Sequence, residues 1–128
     1  MVTKVTEGIK ISVVTAYKPF QSHPKGSAYF FYYTISIENC SANTVKLLRR
    51  HWYIYNALGL VHEVEGIGVV GEQPVLRPGE LHRYSSGCEI ITEIGKMHGT
   101  YLMENQLTLK RFNVSIPEFK LVVPYILN

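Results

Sequence analysis

The sequence predicts an all-β protein, an antiparallel β-sandwich or barrel of seven or eight short strands. Three observations lead to this prediction. Several segments alternate apolar and polar residues with a period of two, clusters of Gly, Pro and Asn separate these segments, and no window shows a helical period. The 128 residues are enough to bury a core without disulfides. Because no internal repeat or linker is visible, we expect one domain over residues 1–128.

Eight segments fit a strand, and the most regular of them is residues 29–38. Its odd-numbered residues, from Tyr29 to Ile37, are all aromatic or β-branched and share one face of a pleated strand. Pro and Gly within residues 18–27 predict a loop, residues 39–43 a turn, and residues 88–95 an irregular connection. The predicted strands are residues 9–13, 29–38, 44–56, 60–65, 80–86, 99–104, 107–115 and 119–123.

The strand over residues 44–56 carries the only tryptophan. By alternation, the even-numbered residues from Leu48 to Ile54 share the face of Trp52, and the odd-numbered residues from Leu47 to Tyr55 point the other way. Trp52 lies in the middle of this strand, where it can anchor a core between two sheets.

Composition excludes several classes of protein. Hydrophobic residues are 46% and charged residues 18%, which is typical of a globular chain. The net charge of +3 is too small to indicate nucleic-acid binding, and no apolar run is long enough to insert into a membrane. No signal peptide is visible, and Cys40 and Cys88 belong to no CxxC pair. We therefore expect a cytoplasmic protein with two free thiols.

The pattern Gly66-x-Gly68-x-x-Gly71 is the one motif that could indicate a phosphate site. A dinucleotide fingerprint needs a helix after its glycines, because the helix N-terminus holds the pyrophosphate. Here Pro74 and Pro78 follow within a few residues and prevent such a helix. The pattern is therefore interpreted as a glycine-rich bend, whose free backbone N–H groups remain a second, anion-binding interpretation.

A basic run, Arg49-Arg50-His51, lies within the predicted Trp52 strand. Alternation divides its charges between the two faces, so solvated strand charges are one interpretation and an anion or partner site is the other. Arg50 shares a face with Trp52, which allows stacking or a partly buried ion pair. Taken with the glycines, the candidate ligand- or partner-binding residues are Arg49, Arg50, His51, Gly66, Gly68 and Gly71.

Catalytic and metal-binding patterns are missing from the sequence. The five histidines form no HxH, HxxxH or HExxH, and no Gly-x-Ser-x-Gly nucleophile elbow occurs. We expect no catalytic residues, no metal ligands and no cofactor.

Several segments together resemble the bacterial ApaG family, from about Val5 to Asn128. They are residues 64–74, the Leu-Arg-Pro-Gly-Glu of residues 76–80, the Tyr-Ser-Ser-Gly of residues 84–87, Leu47-Leu48 with Trp52, Gly99-Thr100-Tyr101, and residues 119–124. The resemblance implies a sandwich like that of immunoglobulin or fibronectin type III domains. It also implies a small cytoplasmic protein without enzymatic activity, in a family linked to cobalt and magnesium efflux or resistance.

Related domains in eukaryotic F-box proteins look like binding modules, so we expect a non-enzymatic module that binds an unknown protein partner, or a homodimer. Aromatic residues exposed at Tyr29, Tyr53 or Tyr55 would support this hypothesis. The alternative is a module for a small anionic ligand, such as a nucleotide or pyrophosphate, or for a divalent metal. Its signature would be Arg side chains and backbone N–H groups that converge on one concave site.

Overall fold

The computed structural model describes residues 1–127, with the side chains of residues 60–61 and 126–127 left aside. Asn128, the last residue of the predicted domain, lies outside this range. Within it there are three short turns of 3-10 helix, none of them long or apolar enough to cross a membrane. The strands are β1 (Val2–Thr6), β2 (Ile9–Tyr17), β3 (Tyr29–Asn39), β4 (Val45–Asn56), β5 (Gly59–Ile67), β6 (Val75–Leu76), β7 (Leu81–Ile90), β8 (Ile94–Asn105) and β9 (Arg111–Val122).

Two antiparallel sheets form a β-sandwich, which confirms the predicted fold class. One sheet has the strand order β1-β2-β3-β7 and the other the order β5-β4-β8-β9, with β6 paired to the start of β4. Strands β1 and β2 pack on β9 and close one side of the sandwich. On the opposite side, β7 and β5 are the outermost strands of their sheets.

The core lies where the alternating apolar residues of the two sheets meet. The odd-numbered residues of β3 are buried from Tyr29 to Ile37, as the sequence predicted. Trp52 is 3% exposed and contacts both Tyr33 of the facing sheet and Phe119 of β9. The single tryptophan therefore anchors the two sheets, as expected.

A β-bulge in β4 corrects the predicted face of Leu47. The register with β8 shifts between Leu47 and Arg49, so the inward positions change from odd to even numbers at the bulge. Leu47 is fully buried opposite Met103, whereas beyond the bulge Trp52 faces the interior. Simple alternation failed at this point because the extra residue in the strand is invisible to a period of two.

The chain ends differ from the prediction in two ways. Val2–Thr6 is a strand that sequence reasoning missed, joined to β2 by a two-residue turn in which Glu7 and Gly8 both have positive φ. The predicted interruption between the strands of residues 107–115 and 119–123 is wrong, because β9 continues through Pro117. Pro117 lies where the register between β9 and β8 shifts, and β9 is the outermost strand of its sheet. Because proline has no backbone N–H, it is tolerated at such a position, where no regular hydrogen bond between two strands is lost.

Strand β7 is also longer than predicted. The sequence indicated an irregular connection from residue 88 onward, but β7 continues to Ile90 in register with β3. Tyr84, Ser86 and, through this extension, Cys88 lie on the inner face, opposite Ile35, Tyr33 and Phe31 of β3. The inner face of β7 forms one wall of the site described next.

Candidate functional site

The glycine pattern forms the end of β5 and a tight turn after it. Gly66 lies within β5, and Val69 and Glu72 exchange two backbone hydrogen bonds of 2.8 and 3.0 Å around a two-residue turn. Val70 and Gly71, the central residues, have φ values of +46° and +77°. The pattern is thus a bend in a sheet protein, without a following helix.

The bend requires glycine at position 68. Its φ is +65°, and a Cβ built there would lie 2.1 Å from the carbonyl oxygen of Glu72. The Gly68 N–H donates to the Leu48 carbonyl, and the N–H groups of Val69 and Glu72 donate to each other's carbonyls. These three N–H groups hold the bend together and are engaged without a ligand.

The structure brings Arg50 together with Gly66 and Gly68. Arg50 and Gly66 are direct partners in the β4–β5 ladder, and the guanidinium lies over Gly66, where a Cβ would come within 2.8 Å of Nη1. Nη1 donates to the carbonyl oxygens of Ile67 and Gly68, each at 3.1 Å. Gly66 therefore leaves the space in which the guanidinium lies.

Arg49 and His51 point to the outer face of the same sheet, away from Arg50. Arg49 is exposed. His51 Nδ1 lies 2.8 Å from a Glu65 carboxylate oxygen and Nε2 lies 2.5 Å from one of Glu63, so this ring is held between two carboxylates of β5. Of the six predicted site residues, the structure therefore groups Arg50, Gly66 and Gly68 and places Gly71 in the turn. Arg49 and His51 line a smaller depression of about 160 Å³ on the outer face, which Arg50 also borders.

A cleft of about 440 Å³ opens between the edge strands β5 and β7, and Arg50 lies in it. Its floor is formed by Trp52 and Tyr33, the pair that joins the two sheets. One rim is β5 with the bend after it, and the other is the inner face of β7. The remaining lining residues are Ile54, His62, Val64, Val69, Val70, Tyr84, Ser86, Gly87, Cys88, Glu89 and Met97.

Three buried tyrosine hydroxyl groups lie near enough to the guanidinium to sense its charge. The Tyr84 hydroxyl forms a short hydrogen bond with that of Tyr101, which is fully buried. Burial raises the pKa of Tyr33, Tyr84 and Tyr101, and the nearby Arg50 charge opposes the rise in each case. The inside of the cleft thus combines one permanent cation with neutral hydroxyl groups.

The Arg50 guanidinium keeps unused donors. Among residues 1–127, apart from the side chains left aside, its Nε and Nη2 donate no hydrogen bond and no carboxylate lies within 4.0 Å of it. In the same part of the chain, every fully buried side-chain nitrogen or oxygen has a partner. The free donors of Arg50 are therefore open to solvent, and they can bind an oxyanion through the planar fork of a guanidinium.

Comparison with known proteins assigns the family. The ApaG domain profile matches residues 19–105. The chain is 48% identical over 120 residues to Protein ApaG of Thiobacillus denitrificans, covering 94% of each chain, and 48% identical over 116 residues to Protein ApaG of Pseudomonas putida strain F1, covering 91% of each. The chain belongs to the ApaG family. A crystal structure of a Bordetella pertussis protein described as ApaA superimposes with a TM-score of 0.87 at 42% identity, covering 91% of this chain and 94% of that one.

The names of these ApaG relatives state no enzymatic activity. Among the described residues there is also no group of three His, Cys, Asp or Glu side chains placed to hold a metal ion. The Cys88 thiol in the cleft is buried, and this burial raises its pKa to about 11, so it stays protonated at neutral pH. A protonated thiol is a poor nucleophile, so Cys88 acts as an apolar wall of the cleft.

The predicted surface aromatics of this ApaG chain have different environments. Tyr29 is buried and belongs to the core. Tyr53 and Tyr55 are half-buried on the outer face of β4, and each stacks on His98. Tyr33, Trp52 and Tyr84 instead line the cleft, where Tyr33 and Trp52 are almost completely buried.

Sequence reasoning missed the β7 half of the cleft in this ApaG chain. Tyr84, Ser86 and Cys88 are spaced two apart, which places them on one face of a strand. The predicted strand ends at residue 86 because Gly87 resembles a turn residue, so Cys88 falls in the predicted connection. Nothing in the sequence shows that this face lies opposite Arg50, because that depends on how the two sheets align.

Proposed function

We propose that this chain is a non-catalytic binding module and that a partner protein enters the open side of the sandwich. The observation that carries this proposal is the cleft between two free strand edges, β5 and β7. Edge strands offer unpaired backbone groups to an extended segment of another protein, and aromatic floors such as Trp52 are typical of binding hot spots. A cytoplasmic location belongs to the same proposal, supported by the two unpaired thiols.

Val70 at the rim of the cleft supports the proposal. It is a β-branched residue with φ of +46°, yet it is 64% exposed and so contributes little to the core. Such a conformation costs about 1–3 kcal/mol and is concentrated at functional sites. An exposed apolar side chain held in a strained turn beside an open cleft suits a contact with a partner.

A Val70→Asn variant is expected to be more stable than the wild type by about 1 kcal/mol. Asn followed by Gly71 is the preferred pair for this turn, because both central residues have positive φ. Urea denaturation measures the gain. The same variant is expected to bind the partner more weakly. A variant that is less stable, or that is more stable and binds as well as the wild type, would contradict a functional role for Val70.

The partner is tested by affinity capture with two matched variants. Val64→Trp fills the cleft, and Val14→Trp makes the same change on the exposed outer face of β2. We expect a protein that is recovered by the wild type and by Val14→Trp but lost with Val64→Trp, with size-exclusion chromatography showing whether that partner is a second copy of the chain. Equal recovery by all three baits would overturn the assignment of the cleft.

The expected link to cobalt and magnesium efflux fits this proposal if it acts through the bound partner. The same two variants test it in cells that lack the wild-type chain. Val14→Trp should restore tolerance to cobalt, and Val64→Trp should not. If both restore tolerance equally, the efflux link does not depend on the cleft.

The alternative function, binding of a small anion or a divalent metal, has one observation in its favour. Arg50 lines the cleft and keeps donors that form no hydrogen bond within the described residues, and an anion requires such donors.

A further inference from the structure

We propose that the cleft recognises a carboxylate carried on an apolar or aromatic body, with the Arg50 guanidinium bound to the carboxylate. The inference rests on the proposed function, since it names the chemical group that the same cleft receives. The end of a peptide chain would belong to the partner protein, whereas a free organic acid would support the small-ligand alternative, and the binding assays separate these two sources.

The charges of the cleft favour a single negative charge. Arg50 is the only arginine or lysine among the lining residues. His62 and Glu89 also line the cleft, so one carboxylate is already present. A pyrophosphate or nucleotide carries several negative charges, of which the single guanidinium compensates only one, and Glu89 repels the remainder. A monocarboxylate matches the one guanidinium.

The geometry of Arg50 suits a carboxylate in particular. Nη1 is fixed by two carbonyl oxygens at 3.1 Å, so the guanidinium plane is held before a ligand arrives. The unused Nε and Nη2 donate side by side, and this pair matches the two oxygens of a carboxylate. The guanidinium is preorganised, so little side-chain entropy is lost on binding.

The rest of the cleft accommodates an apolar body. Ile54, Val64 and Val70 line it with aliphatic surface that solvent reaches, above a floor that holds the nearly buried Trp52. Its volume of about 440 Å³ falls within the range of small-molecule sites. An acid with an apolar body would cover Val64 and Val70 while its carboxylate reaches Arg50, whereas a bare inorganic anion would leave these side chains in contact with water.

Trp52 provides the readout, because it is the only tryptophan of the chain and lines the cleft. The probes are 3-phenylpropionate, its neutral amide, and acetyl-Gly-Phe with either a free or an amidated carboxyl end, with pyrophosphate as the inorganic anion. We expect the tryptophan emission to titrate with the acids, which should bind at least about tenfold more tightly than their amides. Tighter binding of the peptide acid than of 3-phenylpropionate identifies a chain end as the source, and the reverse order identifies a free acid.

Variants test the role of Arg50. Arg50→Lys keeps the charge but loses the fork, and we expect it to weaken acid binding about tenfold. Arg83→Gln is the matched control: it removes an arginine from the adjacent edge strand β7, where Nε donates to Ser36 on the outer face. Arg49→Gln removes an arginine from the outer face of β4, outside the cleft. We expect this variant to bind the acids as tightly as the wild type.

Val64→Phe provides a second test that leaves Arg50 in place. This substitution narrows the space for the apolar body and should weaken binding of the acids. It therefore tests the cleft independently, should Arg50→Lys fail to fold. The inference is overturned if acids and amides bind equally, if pyrophosphate binds more tightly than both acids, or if Arg49→Gln weakens binding as much as Arg50→Lys. A partner captured through the cleft with no preference for acids would overturn this inference and leave the proposed function intact.

Discussion

Gly68→Ala is expected to lower the free energy of unfolding by about 3 kcal/mol or more. An alanine with φ of +65° costs about 1–2 kcal/mol, and its Cβ would lie 2.1 Å from the Glu72 carbonyl oxygen. The contact is with backbone, so the turn itself must shift, at a further cost of about 1–3 kcal/mol. Urea denaturation measures the loss.

Gly71→Ala is the matched control for this prediction. Gly71 has a similar φ of +77°, but a Cβ there would meet nothing within 4 Å. We expect a loss of about 1 kcal/mol, from the backbone conformation alone. Equal losses at the two positions would contradict the account, because they would mean that the close approach of Gly68 to Glu72 is not present in solution.

A rise to pH 11 is expected to destabilise the fold, by up to about 1.4 kcal/mol for each buried tyrosine and with a further loss from the Cys88 thiol. Burial raises the pKa of Tyr33, Tyr84 and Tyr101 above the ordinary value of 10.0. The folded state therefore keeps protons that the unfolded state releases. This stabilisation is complete below pH 10 and is lost as the pH rises toward the folded pKa values, at about 1.4 kcal/mol per pH unit for each group.

Urea denaturation at several pH values between 9 and 11 measures this loss. Tyr33→Phe removes one of the three hydroxyl groups. The free energy of unfolding of this variant should therefore fall less steeply with pH than that of the wild type, and the difference should equal the contribution of one tyrosine. If the wild type and Tyr33→Phe lost stability in parallel, or if the tyrosinate absorbance of the folded protein rose at pH 10 for all tyrosines, the buried hydroxyl cluster would be contradicted.

Much of the fold could be predicted because its strands obey a period of two. The inward face of β3 and the central position of Trp52 follow directly from that period. The prediction failed where a local backbone feature breaks the period: at the bulge after Leu47, and at Pro117 in a strand that continues past it. The turn at Glu7 was missed because Glu-Gly is a weak hairpin signal beside Asn-Gly.

The candidate site could be predicted only in part. Alternation separated Arg50 from Arg49 and placed it on the face of Trp52, and the structure agrees. The contact between Arg50 and Gly66 depends on the register of β4 and β5, which a single sequence does not fix. The opposite wall, with Tyr84, depends on the alignment of two sheets through long-range packing. Local patterns carry no information about that alignment.

Chemical-shift mapping by NMR tests most directly whether the open side of the sandwich is the binding site. The backbone amide and Trp52 indole signals would be followed while 3-phenylpropionate is added. We predict shifts at the Trp52 indole, in residues 64–70 around the bend, and in residues 84–89 of β7, with little change on the outer face at His51 and Tyr53. Shifts confined to that outer face would contradict the assignment of the cleft as the binding site, and the absence of any shift would contradict its recognition of an acid.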